Sequence, residues 1–123
     1  AFCAAFNAHD VEAVRTLLAP ATTVQVLGLV EEHSAEQTLS GSIPHTWQES
    51  GHARMEAVTI ANEAMLVITY DDAPPGRVVR DLVRCTTADG RITGWRHYFF
   101  CPDVLRELAP LIGQRIDPIG YRY

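Results

Sequence analysis

Nowhere in the 123 residues does an apolar run approach the roughly 18 needed for a helix to cross a bilayer. No signal-peptide pattern is visible either, and the expected location is the cytoplasm. Positive charge is in the minority. Ten Lys and Arg against fifteen Asp and Glu give a formal charge of −5. Nucleic-acid binders carry a basic surface, so that class is disfavoured. Cysteine is scarce: Cys3, Cys85 and Cys101 are an odd count with no metal-like spacing, which reads as reduced thiols. The five histidines (His9, His33, His45, His52, His97) contain no His-x3-His pair, so no metal is expected. No Ser-His-Asp order, phosphate loop or dinucleotide fingerprint is present, and nothing calls for a cofactor.

What is present suits one domain over residues 1–123. Hydrophobic residues make up 47% of the chain, enough for a sizeable single core. Residues 1–18 read as a helix pair broken at Asn7-Ala8-His9-Asp10, with Asp10 capping the second helix and Pro20 ending it. Residues 22–30 are β-branched and read as a strand. Residues 31–51 are polar, broken by Gly41, Pro44 and Gly51, with a short helix expected around residues 45–49. Strands follow at 54–61 and 64–71, then a loop at Ala73-Pro74-Pro75-Gly76. Residues 77–87 and 91–101 form a hairpin about Asp89-Gly90. Pro102 opens a helix to about Leu108, and an irregular tail follows. Helices followed by a run of antiparallel strands imply an α+β architecture, a curved sheet wrapped around the N-terminal helices with a cavity between them.

Hairpin register decides which side chains share a face. A two-residue turn would set Arg80, Leu82 and Arg84 beside Trp95, His97 and Phe99, pushing arginines into an apolar face. A three-residue turn over Ala88, Asp89 and Gly90 pairs Asp81 with His97, Val83 with Trp95 and Val79 with Phe99, and segregates polarity far better. The expected cavity face is then Val79, Asp81, Val83, Cys85, Thr93, Trp95, His97 and Phe99. Met55, Leu66, Ile68 and Tyr70 join it from neighbouring strands, and His45 and Trp47 stand at the mouth. In this register Cys85 and Cys101 lie roughly 26 Å apart along the ladder, too far for a disulfide. Asp81 and His97 are the chemical candidates: a carboxylate can fix an imidazole's tautomer, and such a pair in an apolar pocket can move a proton. The same pair also has a structural reading, because a buried Asp needs a donor and a cross-strand His supplies one. Arg80, Leu82, Arg84, Arg96 and Tyr98 fall on the opposite face, toward solvent or a subunit interface.

Two segments, Ala5-Phe6-Asn7-Ala8-His9-Asp10 and Asp89-Gly90-Arg91-Ile92-Thr93-Gly94-Trp95-Arg96-His97-Tyr98-Phe99, make the chain resemble the NTF2-like superfamily, in its SnoaL-like and limonene-epoxide-hydrolase-like branch. The resemblance implies a cone-shaped, cystatin-like α+β barrel. It also implies a deep pocket of the kind that hosts isomerases, cyclases, epoxide hydrolases and non-catalytic binders, and a homodimer packed through the outer face. In the epoxide hydrolases an Asp of a catalytic Asp-Arg-Asp set follows Trp-Arg. Here His97 stands at that position, and no Arg-x-Asp appears on an earlier strand. The segment Tyr98-Phe99-Phe100-Cys101-Pro102-Asp103-Val104-Leu105, with Gly120-Tyr121-Arg122-Tyr123, also resembles the SnoaL-like C-terminal domain of some extracytoplasmic-function sigma factors. The expected function is therefore a pocket for a small apolar molecule, serving an isomerase, cyclase or hydrolase through Asp81 and His97. The alternative is a non-catalytic ligand-sensing or interaction domain.

Overall fold

The polar stretch at residues 7–10 divides the N-terminal run into two helices, α1 (Phe2–Asn7) and α2 (Val11–Leu17). His9 takes a positive φ of 54° at the break, and the Asp10 carboxylate accepts the Ala13 N–H at 3.1 Å, capping α2. A computed structural model describes residues 1–49, 53–70, 78–113 and 116. The expected loop at residues 73–76 and the tail at 120–123 lie outside the described residues.

Among the described residues, six strands make one curved, unclosed sheet: β1 (Leu18–Val26), β2 (Val30–Glu32), β3 (Ala53–Ile60), β4 (Glu63–Tyr70), β5 (Val78–Ala88) and β6 (Arg91–His97), in the order β2-β1-β6-β5-β4-β3. The class is α+β, as expected. The run of strands is not wholly antiparallel, however: β1 lies parallel to β6, with Val24 opposite Trp95 and Val26 opposite His97. Asn7 ties the helices to the far edge of the sheet. Its Nδ2 donates to the Met55 carbonyl at 2.8 Å, and its Oδ1 accepts the Met55 N–H at 2.7 Å, as a neighbouring strand would.

Between β2 and β3 the chain forms α3 (Ala35–Ser40) and α4 (Ser42–Glu49), where one short helix was expected. Ser34 Oγ accepts the Gln37 N–H at 3.1 Å, and Gln37 Oε1 accepts the His33 N–H at 2.6 Å. That is a variant of the reciprocal capping box, and it fixes where α3 starts. Pro102 opens α5 (Pro102–Leu108), which runs into a 3-10 turn at Ala109–Ile112.

The hairpin register differs from the expected one. Asp89 (φ 52°) and Gly90 (φ 76°) alone turn the chain between Ala88 and Arg91. Positive φ at both turn positions is the signature of a two-residue turn whose twist suits a hairpin. A bulge then leaves Thr93 without an opposite residue, and from there Thr86 faces Gly94, Cys85 faces Trp95 and Val83 faces His97. The bulge restores the parity that a three-residue turn would have given. Asp81, Val83, Cys85, Trp95 and His97 thus share one face, but His97 lies diagonal to Asp81 rather than opposite it. A second bulge, at Arg80, sets Val79 opposite Thr69 and Val78 opposite Tyr70. It removes Val79 from the expected cavity face.

Each face of the sheet carries its own core. On the inner face Phe6, Val14, Leu18, Val24 and Ile43 pack with Met55, Val83 and Trp95. On the outer face Val67, Val79 and Leu82 pack with Leu105 and Ala109 of the C-terminal helices. Leu82, expected at solvent or an interface, is fully buried by the chain itself, and Tyr98 packs against the same cluster. Arg84 and Arg96 remain exposed, bonded to Glu63 and Gln25.

Candidate functional site

A cavity of about 410 Å3 opens between the inner sheet face and the start of α4. Its apolar wall is Val26, Leu29, Val30, Ile68, Phe99 and Phe100. Glu32, Ser42, His45 and Thr46 supply polar groups from β2 and α4, and Tyr70, Asp81 and His97 supply them from the sheet and its end. Leu29 and Val30 are exposed and form an apolar rim.

Asp81 and His97 are 3% and 4% exposed, so their polar atoms depend on protein partners. Nδ1 of His97 lies 2.5 Å from Asp81 Oδ2, and Asp81 Oδ1 accepts the Tyr98 N–H at 2.9 Å. The Trp95 indole N–H donates to His97 Nε2. An indole nitrogen can only donate, so Nε2 must accept and the imidazole proton must sit on Nδ1, pointing at Asp81. The result is a directed chain from Trp95 to His97 to Asp81, ending in a carboxylate at the cavity wall. Burial raises the Asp81 pKa above the usual carboxylate value. Hydrogen bonds from His97 and from backbone N–H groups pull the other way. Phe2 meets the Trp95 ring edge-on at 5.1 Å, which helps hold the indole in place.

The same carboxylate ends β6. The Tyr98 N–H is shared between Asp81 Oδ1 and the Leu82 carbonyl at 3.0 Å, and the chain turns at once, with the Cys101 N–H donating to the Tyr98 carbonyl. The expected strand to residue 101 therefore stops at His97. Phe99 and Phe100 leave the sheet plane and reach the cavity wall, their rings edge-to-face at 5.0 Å.

Of the residues singled out from sequence, Asp81, His97, Ile68, Tyr70, Phe99 and His45 line the cavity. Val83, Trp95 and Met55 belong to the packed inner core, and Val79 lies on the outer face. Trp47 packs on Phe6 and stacks at 4.6 Å on His9, beside the N-terminal helices rather than at the mouth. Glu32 and Ser42 were not anticipated. Glu32 is 6% exposed; its Oε1 accepts the Ser42 hydroxyl at 2.6 Å and its Oε2 the Ser42 N–H at 3.0 Å. All three cysteines are free, and burial pushes the Cys85 thiol up to about 11, which leaves little thiolate at neutral pH. Among the described residues, no group of three or more His, Cys, Asp or Glu is placed to hold a metal ion, and no helix is long and apolar enough to cross a membrane.

No family model and no curated protein matches the sequence. Solved structures do. A candidate polyketide cyclase from Sinorhizobium meliloti superposes with a TM-score of 0.60 at 18% identity, over 78% of this chain and 88% of the other. An NTF2-like protein of unknown function from Cytophaga hutchinsonii gives 0.58 at 13% identity, over 84% and 87%. An LEH-like epoxide hydrolase from M. tuberculosis gives 0.56 at 22% identity, over 91% and 83%. The chain therefore has the NTF2-like fold that these structures share.

Proposed function

We propose that the protein binds a small, mainly apolar molecule in this cavity and moves a proton on it, with Asp81 as the proton acceptor. The observation that carries the reading is the directed chain from Trp95 through His97 to Asp81. His97 has both ring nitrogens engaged, so it acts on Asp81 and not on the ligand. It holds the carboxylate in place and donates to its charged form. Asp81 sits at the wall with a raised pKa, the condition under which a carboxylate is an effective base near neutral pH. Proton abstraction from a carbon beside a carbonyl, or from a water beside an epoxide, is the step an isomerase, cyclase or hydrolase needs. The structural relatives include a candidate polyketide cyclase and an epoxide hydrolase.

The test is turnover of carbonyl and epoxide compounds that raise the protein's melting temperature. Asp81→Asn is expected to lower turnover at least about 100-fold while ligand affinity changes little. Turnover that survives in Asp81→Asn removes Asp81 from the chemistry. A second reading, ligand binding without catalysis, is favoured by a different fact: each of the four polar atoms of the Asp81–His97 pair already has a protein partner. On that reading no bound compound is converted, and Asp81→Asn changes affinity alone.

A further inference from the structure

We infer that the cavity selects a protonated hydrophobic amine, seated with its ammonium group against Glu32. The inference deepens the small-molecule reading above and rests on it. Glu32 is a buried carboxylate whose hydrogen bonds come from two neutral donors, both on Ser42. No cationic side chain among the described residues lies within ion-pair distance of it. A carboxylate has about four lone-pair sites, so roughly two stay open. A buried charge left in that state gains most from a cation that brings its own N–H donors.

The rest of the cavity points the same way. Register places Val24 opposite both Glu32 and Trp95, and Val26 opposite His97. Two strand spacings and one two-residue step then put the Glu32 and His97 Cα atoms roughly 12 Å apart. Glu32 and the Asp81–His97 pair thus stand at two ends of one inner face, with Val26 between them. Two acids and no Lys or Arg contribute to the described wall, beside the imidazoles of His45 and His97, and of the two acids Glu32 is the one with no imidazole bonded to it. Arg80 is not among the wall residues; its guanidinium lies 5.3 Å from the centre of the Tyr70 ring. Phe99 and Phe100 add aromatic surface to the wall. Gly41 packs directly on Glu32, where any Cβ would collide with the carboxylate, so the acid is held in one place. A volume of about 410 Å3 suits an apolar body of small drug-like size.

The experiment compares three probes of matched shape by calorimetry on the full chain: 4-phenylbutylamine, 4-phenylbutanol and 4-phenylbutyrate. The expected order is amine, alcohol, carboxylate, with the amine at least about tenfold tighter than the alcohol, the usual advantage of a charge-assisted hydrogen bond over a neutral one. Glu32→Gln should bring the amine to within about twofold of the alcohol and leave the alcohol's affinity unchanged. Should that variant fold poorly, Ser42→Ala removes one donor from Glu32, keeps the charge and must keep the amine preference. An alcohol that binds as tightly as the amine overturns the amine inference and leaves the small-molecule reading standing. If none of the three gives heat or shifts the Ile68 methyl resonances at millimolar concentration, both fall.

Discussion

Replacing Trp95 with Phe tests the hydrogen-bond chain on which the site is built. The substitution keeps an aromatic ring beneath Phe2 but removes the N–H that reaches His97 Nε2. His97 is 4% exposed, so the orphaned acceptor has little access to water. A buried acceptor left unpaired costs about 1–3 kcal/mol. The indole's lost five-membered part leaves a void of about one water, ~30–40 Å3, and at ~24 cal/mol per Å3 this adds about 1 kcal/mol. The expected loss is therefore about 2–4 kcal/mol, a large share of the 5–15 kcal/mol that stabilises a typical domain. Urea unfolding measures it, and a double-mutant cycle with His97→Leu separates the hydrogen bond from the void. Residues coupled in one network show interaction energies of about 0.5–3 kcal/mol, and about 1–2 kcal/mol is expected here. If the two substitutions add within about 0.3 kcal/mol, Trp95 and His97 act independently and the tautomer argument fails.

Three other outcomes follow from the same geometry. Asp81 has a folded pKa above its unfolded value of about 3.9, so upward from about pH 4 the native state holds the extra proton and stability falls as pH rises. Subtracting the melting-temperature profile of Asp81→Asn from that of the wild type should expose this slope; a flat difference refutes the buried-carboxylate assignment. Gly41→Ala forces a methyl group into the Glu32 carboxylate and to 2.8 Å from the Gln37 carbonyl, at an expected cost of about 1–3 kcal/mol, read as a lowered melting temperature. Asn7→Ala leaves the Met55 N–H and C=O of edge strand β3 without their partner, at an expected cost of about 1–3 kcal/mol for two part-buried groups, with faster hydrogen exchange at the Met55 amide.

How far the sequence discloses this site depends on the kind of signal. Polarity segregates so strongly along residues 81–97 that Asp81, Val83, Cys85, Trp95 and His97 can be placed on one face without coordinates. Their exact partners cannot, because a two-residue turn plus a bulge at Thr93 gives the same parity as a three-residue turn while shifting every pair by two. The bulge at Arg80 has no local signature either, and it exchanges Val78 for Val79 on the inner face. Glu32 was hidden because a three-residue strand inside a polar stretch resembles a loop. The Ser34-x-x-Gln37 pattern was a readable sign of α3, and Ser42 follows directly from where α3 ends. The end of β6 is a tertiary effect: Asp81 takes part of the Tyr98 N–H, and nothing near residue 98 announces it.

Nitrogen-15 NMR of the His97 side chain at neutral pH, read together with the carbon-13 resonance of the Asp81 carboxyl group, bears most directly on the account. The prediction is a proton on Nδ1, a bare Nε2, and an Asp81 carboxyl signal that moves when an apolar ligand enters the cavity while the imidazole tautomer stays fixed. A proton found on Nε2, or a ligand that shifts the His97 nitrogens and leaves Asp81 unmoved, would contradict it.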